Sequence, residues 1–140
     1  MNKFSSISKP VENAALRVLS FGAGVQSTVL LLMAAKGEIK PMFDVAIFAD
    51  TQFEPASIYQ HLDWCKEELK KLTNDRVQLE KVTAGNLKEN EINHINLNGR
   101  SFSSIPYFTD TGLGRRQCTA DYKIYPIRQS IRNKLGVLYK

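Results

Sequence analysis

Two glycines and two hydroxyl side chains near the start of the chain are arranged in a way that suits phosphate binding. Gly22 and Gly24 lie between a short apolar, strand-like run and an apolar helical pattern. Glycine leaves the backbone bare at such a turn, and the first N–H groups of a helix point toward any anion placed there. Ser27 and Thr28 would add two hydroxyl donors in the first helical turn. The stretch predicts a phosphate site.

Three known phosphate-binding patterns can be compared with this turn. A Walker loop requires a lysine before the hydroxyl residue, and none precedes Ser27. A dinucleotide fingerprint requires a third glycine where Ser27 stands, so that match is weak. The PP-loop pattern S-G-G-x-D-S-[ST] fits at Gly24, Ser27 and Thr28, but Ala23 replaces its first glycine and the neutral Gln26 replaces its aspartate. A plain glycine turn that binds nothing stays open.

A second polar group follows an apolar run at residues 43–49, which predicts a strand covered on both faces. Asp50, Thr51 and Glu54 come directly after it. In a parallel sheet, ligands lie beyond the carboxyl ends of the strands, so Asp50 or its neighbours would meet the sugar or base of a nucleotide. Thr51 and Glu54 also have the spacing of a capping box at the start of a helix. Helix capping alone is the competing interpretation.

A cluster of cations lies near the carboxyl end of the chain. Its members are Arg115, Arg116, Lys123 and Arg128. Arginine binds phosphate or sulfate through two parallel hydrogen bonds, and lysine adds a compact charge. A solvent-exposed basic turn would explain the same residues. Cys118 lies among them and would be a nucleophile if these cations lowered the pKa of its thiol, although an isolated cysteine more often packs than reacts.

The elements that would position these residues alternate between strand and helix. The predicted strands are residues 16–21, 43–49 and 76–82, and the predicted helices are residues 25–36 and a segment that starts near Pro55. This order predicts an α/β fold, a doubly wound parallel sheet with helices on both faces. In the second helix, one apolar face contains Ile58, Leu62, Cys65, Leu69 and Leu72.

Regular periodicity fails over residues 83–118, which we interpret as a hairpin or lid excursion. Asn98 and Gly99 form a hairpin signal, with residues 92–97 and 100–105 as its arms. His94 lies in one arm and is interpreted as a surface residue. A last helix is predicted from Pro126 to near Gly136.

The 140 residues and the formal net charge of +5 predict one compact domain with a positive surface. Such a surface attracts nucleotides or nucleic acids without choosing between them. No apolar run is long enough to cross a bilayer, and the first residues lack the apolar core of a secretory signal. We therefore expect a cytoplasmic protein without a membrane partner. Cys65 and Cys118 show no C-x-x-C spacing, which argues against a zinc site or a disulfide framework.

Three pieces of the chain, taken together, resemble the phosphoadenosine phosphosulfate (PAPS) reductase family. They are the loop at residues 20–28, the strand end at residues 48–51 with Glu54 and Pro55, and the run from Cys118 through Lys123 to Pro126. That family belongs to the PP-loop, or adenine nucleotide alpha hydrolase, superfamily. The variant loop and the Arg-Arg-Gln-Cys-Thr run resemble a subgroup often encoded by phages and bacteria. The resemblance covers roughly residues 17–128.

The resemblance implies a doubly wound sheet that binds ATP or PAPS, with Mg²⁺ accompanying ATP. By position, the residues at the phosphates would be Ser20, Gly22, Ala23, Gly24, Gln26, Ser27 and Thr28. The residues at the nucleoside would be Asp50 and Thr51, and those at the sulfate or phosphate end Arg115, Arg116 and Lys123.

The implied chemistry is sulfo-group transfer from PAPS, or attack on the α-phosphate of ATP with release of pyrophosphate. Cys118 and Lys123 would be the catalytic residues. The chain lacks the family's Glu-Cys-Gly cysteine and its paired iron–sulfur cysteines. It is therefore interpreted as a short form, a fragment, or half of a site that a second copy or another chain completes. A non-catalytic nucleotide-binding module and a sulfur-insertion partner acting on nucleic acid stay open.

Overall fold

The computed structural model describes residues 11–93, 108–113 and 118–137. The strands are β1 Val18–Phe21, β2 Val45–Ala49, β3 Gln78–Val82, β4 Phe108–Thr109 and β5 Gly112–Leu113. The α-helices are α1 Val25–Ala35, α2 Ala56–Thr73, α3 Leu87–Ile92 and α4 Tyr125–Leu135, and a π-helix, Ala120–Ile124, leads directly into α4.

The first three strands form one parallel sheet in the order β1-β2-β3. Phe21 pairs in register with Phe48, and Ala49 pairs with Val82. All three carboxyl ends therefore lie at one edge, where residues 22–24, 50–54 and 83–86 follow them. The α/β class and the parallel sheet are confirmed, with strand boundaries within two residues of those expected.

The middle strand β2 is buried along its whole length, as its unbroken apolar run predicts. Ala46 and Phe48 belong to the core cluster that also contains residues of α1 and α2. Side chains alternate between the two faces of a strand, so Val45, Ile47 and Ala49 face the other side. There α4 packs against β2 and β3. This double burial makes β2 the centre of the fold.

The apolar face of α2 differs from the predicted one at its last position. Leu62, Cys65 and Leu69 are almost completely buried, which confirms Cys65 as a core residue. Leu72, however, is 36% exposed, whereas Thr73 is 2% exposed. Thr73 can take the buried place because its hydroxyl donates to the carbonyl of Leu69 (2.8 Å), which removes the cost of burying a polar atom.

The region after β3 contains structure that the sequence pattern did not predict. Asn86 caps α3 by accepting a hydrogen bond from the N–H of Glu89 (3.1 Å). Ile92 ends this helix, so the prediction that it begins a hairpin arm is wrong. A short antiparallel hairpin is present at β4 and β5. His94, Asn98 and Gly99 lie outside the described residues.

The carboxyl-terminal helical segment is longer than expected. Residues 118–119 already form its first positions, the π-helix follows, and α4 then continues to Gly136, where a backbone φ of +64° ends it. Pro126 lies in the first turn of α4, as predicted. Asn90 of α3 donates to the hydroxyl of Tyr122 (2.7 Å), which joins α3 to the π-helix. Tyr122 is 1% exposed.

Within the described part of the chain, none of the helices combines the length and the apolar character that crossing a membrane would require.

We expect Leu69→Ala to lower the free energy of unfolding by about 2–5 kcal/mol, because it leaves a cavity at a fully buried position. Leu72→Ala, three residues further on the same helix, is the matched control and should cost less than about 1 kcal/mol. Urea unfolding followed by circular dichroism measures both. Equal losses for the two variants would contradict this account of the α2 face.

Candidate functional site

The turn between β1 and α1 places glycine where the backbone does not need it. Ala23 has a φ of +56°, in the left-handed region that favours glycine, and yet it carries a buried methyl group. Gly24 has a φ of −87°, which any residue adopts, and a Cβ added there would meet no atom within 4 Å. A Cβ added at Gly22 would only approach the Ser27 hydroxyl at 4.0 Å. The space above both glycines is open.

The carbonyl of Gly24 collects the hydroxyl groups of the first helical turn. Ser27 donates to it at 3.0 Å and Thr28 at 2.9 Å, and the N–H of Thr28 also donates at 3.0 Å. Three donors exceed the two lone pairs of one carbonyl oxygen. Ser27 is partly exposed, so its hydroxyl can turn outward at little cost. Gly24 is also the N-cap residue, and α1 has no side-chain cap and no acidic residue in its first turn.

A histidine on α2 contacts the side chain of Thr28. Its hydroxyl lies 2.9 Å from Nε2 of His61, and the same nitrogen lies 3.5 Å from the sulfur of Cys65. Because the single hydroxyl proton goes to Gly24, this arrangement favours the His61 tautomer with a proton on Nε2. The His61 ring stacks on Trp64 with centroids 5.6 Å apart. Thr28 is buried, so its hydroxyl positions the turn rather than facing outward.

Cys65 completes this cluster as a packed, unreactive thiol. Burial raises the pKa of the Cys65 thiol, and the nearby Thr28 hydroxyl offsets only part of that effect. A raised pKa keeps the sulfur protonated at neutral pH, whereas the thiolate is the reactive form. The cluster therefore supports the turn between β1 and α1 through its hydrogen bonds.

Asp50 is a buried carboxylate at the end of β2, 3% exposed. It accepts hydrogen bonds from the N–H of Gln52 (2.8 Å) and the hydroxyl of Tyr59 (2.8 Å). The ammonium of Lys81 on β3 lies 3.3 Å away. The N–H of Asp50 itself donates to the carbonyl of Val82 (2.7 Å). Asp50 is thus buried among partners from its own turn, α2 and β3, which it connects.

The environment of Asp50 favours its charged form. Burial alone would raise its pKa, but the hydrogen bonds from Gln52 and Tyr59 and the charge of Lys81 outweigh that effect, so the pKa lies below the ordinary 3.8. The same contact acts oppositely on Tyr59: burial and the bond to Asp50 raise the pKa of its phenol. The carboxylate is therefore ionised at neutral pH.

Thr51 organises the turn that follows. Its hydroxyl donates to Glu54 (3.2 Å) and accepts from the N–H of Phe53 (3.3 Å), and its carbonyl accepts from the N–H of Leu87 in α3 (2.9 Å). The spacing of Thr51 and Glu54 thus has a structural use, but it does not start a helix. Pro55 is the N-cap residue of α2, and the capping-box prediction is wrong on that point.

The other described residues that the sequence singled out lie on β1, on α1 and in the last helical segment. Lys123 reaches this edge, with its ammonium 3.6 Å from Glu54. Gln26 is exposed in the first turn of α1, and Ser20 is exposed within β1, paired with Ile47. Cys118 is half-buried at the start of the last helical segment. The two predicted arginines, Arg115 and Arg116, lie outside the described residues.

Sequence reasoning missed three side chains that shape the site. His61 supports the glycine turn, and Tyr59 and Lys81 hold Asp50. None belongs to a recognisable motif, because each acts across two elements. Position gives one clue, since Tyr59 and His61 lie in the first two turns of α2, close to the end of β2. Among residues 11–93, 108–113 and 118–137, no group of three or more His, Cys, Asp or Glu side chains could hold a metal ion.

No protein-family model matches the chain, and neither does any curated protein or solved structure.

We expect Thr28→Val to lower the free energy of unfolding by about 1–3 kcal/mol. Valine keeps the branched shape but leaves the Nε2–H of His61 without its hydroxyl acceptor. Thr28→Ser retains the hydroxyl and is the matched control, with a loss below about 1 kcal/mol. Thermal unfolding of the three proteins measures the difference. A valine variant as stable as wild type would show that the contact with His61 contributes nothing.

The stability that Asp50 contributes should depend on pH. Its pKa is lowered on folding, so the contribution is complete above the ordinary value of 3.8 and is lost as pH falls through the lower folded value. Relative to Asp50→Asn, the wild-type advantage in unfolding free energy should be constant from about pH 7 to 5 and shrink below about pH 4.

Asp63→Asn, at an exposed position of α2, is the control for the general effect of removing one carboxylate. Denaturant titrations at a series of pH values measure these differences. If the difference between wild type and Asp50→Asn stayed constant down to about pH 2, the carboxylate would not be stabilised in the way described.

Proposed function

We propose that this chain binds an adenine nucleotide, ATP or PAPS, with its phosphates on the turn at residues 22–24 and the start of α1. The observation that carries the proposal is the mismatch at this turn. Gly22 and Gly24 have no conformational or packing need for glycine, whereas Ala23 would suit glycine and is not one. A requirement for open space above the backbone explains both glycines, because a ligand must approach the N–H groups there.

The electrostatics of the turn support an anion. The uncapped start of α1 carries the positive end of the helix dipole, and no acidic side chain in the first turn offsets it. Ser27 is partly exposed and adds a hydroxyl that can turn toward a phosphate oxygen. With ATP, Mg²⁺ would enter bound to the phosphates, because Gln26 stands where the PP-loop pattern has an acid.

We also propose that the chain has the doubly wound fold of the PP-loop superfamily. A parallel sheet in the order β1-β2-β3, with β2 buried on both sides, is what a doubly wound sheet of the PP-loop superfamily would contribute in this part of the chain. In that architecture a ligand lies beyond the carboxyl ends of the strands, which is where the turn lies. The motifs at residues 20–28, 48–55 and 118–127 place the chain, on this proposal, with the PAPS reductase family.

The chemistry that this assignment offers is sulfo transfer from PAPS, or adenylyl transfer from ATP with loss of pyrophosphate. Lys123 would stabilise negative charge that develops on the transferred group, and Glu54 holds its ammonium at this edge meanwhile. Arg115 and Arg116 would add further positive charge that stabilises the same negative charge. Cys118 begins the same helical segment as Lys123 and would be the nucleophile.

A non-catalytic nucleotide-binding module is the second candidate, and the state of the acidic residues favours it. Asp50 is turned inward and Glu54 is paired with Lys123, while Gln26 is neutral. None of these three is a ready general base. Release of pyrophosphate or adenosine bisphosphate over many turnovers would support the enzyme and exclude the module. Stoichiometric binding without turnover would support the binding module and exclude the enzyme.

Calorimetric titration with ATP, PAPS and NAD tests the proposal. Wild type should bind ATP or PAPS and not NAD. Gly24→Ala should weaken nucleotide binding at least about tenfold, because its methyl group fills the space that a phosphate needs. Stability should change by less than about 1 kcal/mol, since the backbone at Gly24 suits alanine.

Gly37→Ala at the far end of α1 is the matched control. Its φ of +80° disfavours alanine, so this variant should lose about 1 kcal/mol of stability and keep its affinity. Tight binding of NAD alone would overturn the proposal. So would equal ATP or PAPS affinity in Gly24→Ala and wild type.

A further inference from the structure

Phe53 is an exposed aromatic ring on a turn that begins with two buried residues. Its side chain is 54% exposed, while Asp50 and Thr51 just before it are 3% and 5% exposed. An exposed phenylalanine leaves apolar surface in water and contributes nothing to the core. Gln52, with a φ of +56°, makes the sharp turn after which Phe53 points outward.

The turn that carries Phe53 is rigidly held. The N–H of Phe53 donates to the Thr51 hydroxyl, and the side chain of Gln52 donates to Thr83 after β3 (3.3 Å). The carbonyl of Thr51 is tied to α3 through Leu87. The backbone that carries the ring is therefore held by hydrogen bonds while the ring stays partly exposed, and such pre-organisation of the turn lowers the entropic cost of binding a ligand.

The position of the ring relates it to the proposed phosphate site. Neighbouring strands in a sheet lie about 4.8 Å apart, and β1 and β2 are neighbours with their carboxyl ends at the same edge. The ammonium of Lys88 lies 5.8 Å from the centre of the Phe53 ring. This cation supports the ring through a cation–π contact and adds positive charge at the edge where the phosphates would lie.

We propose that Phe53 is the stacking surface for the base of the nucleotide. This inference rests on the proposed function and deepens it. On this proposal, Asp50 and Thr51 hold the turn in place, and the ring of Phe53 contacts the base. The recognition is of a flat aromatic base rather than of a hydrogen-bonding edge, since any base has a π face that can stack on phenylalanine.

The test compares ATP with inorganic tripolyphosphate, which has the phosphates and no base. Phe53→Ala should raise the Kd for ATP about tenfold and leave the Kd for tripolyphosphate within about twofold of wild type. Phe53→Leu keeps the apolar character without the ring and should behave like alanine. Phe53→Trp keeps the ring and should retain the affinity for ATP.

Phe53→Trp also provides a direct signal. The chain has one tryptophan, Trp64, so fluorescence quenching by ATP that appears only in the Phe53→Trp protein reports stacking at this position. Unchanged ATP affinity in Phe53→Ala, with tripolyphosphate bound normally, would overturn the stacking inference and leave the proposed function standing. Failure of wild type to bind ATP, PAPS and tripolyphosphate alike would overturn both the stacking inference and the proposed function.

Discussion

A charged carboxylate that is buried must be satisfied on all sides, and at the end of β2 this requirement organises the edge of the sheet. Asp50 is the group concerned. Its partners come from three directions: the backbone of its own turn, Tyr59 of α2 and Lys81 of β3. An unpaired charge at such a depth would cost several kcal/mol, so the partners hold one another in place as much as they hold Asp50. The geometry of the turn after β2 is a consequence of that requirement.

The turns after β1 and β2 differ in whether their polar groups are satisfied within the protein. The turn after β2 satisfies its own polar groups through Thr51, Asp50 and their partners, and it presents an apolar ring outward. The turn after β1 has no side chain that caps the helix start, and its bare backbone at Gly22 and Gly24 faces open space. Polar groups that a fold leaves unsatisfied need water or a ligand. This difference in how their polar groups are satisfied is the physical basis of our proposal that phosphates bind at the turn after β1.

Much of the fold could be predicted because it follows from strong periodic signals. The apolar run of β2 and the repeating face of α2 identified the parallel sheet and its covering helix. The short α3 and the π-helix could not be found in this way, because six and five residues are too few to show a period. The prediction that Leu72 is buried failed because the hydrogen bond of the Thr73 hydroxyl allows Thr73 to be buried at the end of α2.

The candidate site was only partly predictable, for a similar reason. Gly22, Gly24 and Ser27 are recognisable because the known phosphate-binding patterns have fixed residue types at a fixed spacing. The inward orientation of Asp50 depends on Tyr59 and Lys81, which lie on other elements, and a spacing along the chain carries no information about them. Contacts between elements decide which of two polar neighbours is buried and which is exposed.

The π-helix before α4 bears on how the length of this segment could vary. A π-helical turn holds one residue more than an α-helical turn, so removing a single residue from Ala120–Ile124 would convert it into ordinary α-helix. The widened turn accommodates the additional residue locally, so the helical residues on either side keep nearly the same orientation with or without it. Within this turn, Tyr122 is buried and bonded to Asn90 of α3, while Lys123 reaches Glu54 at the edge of the sheet.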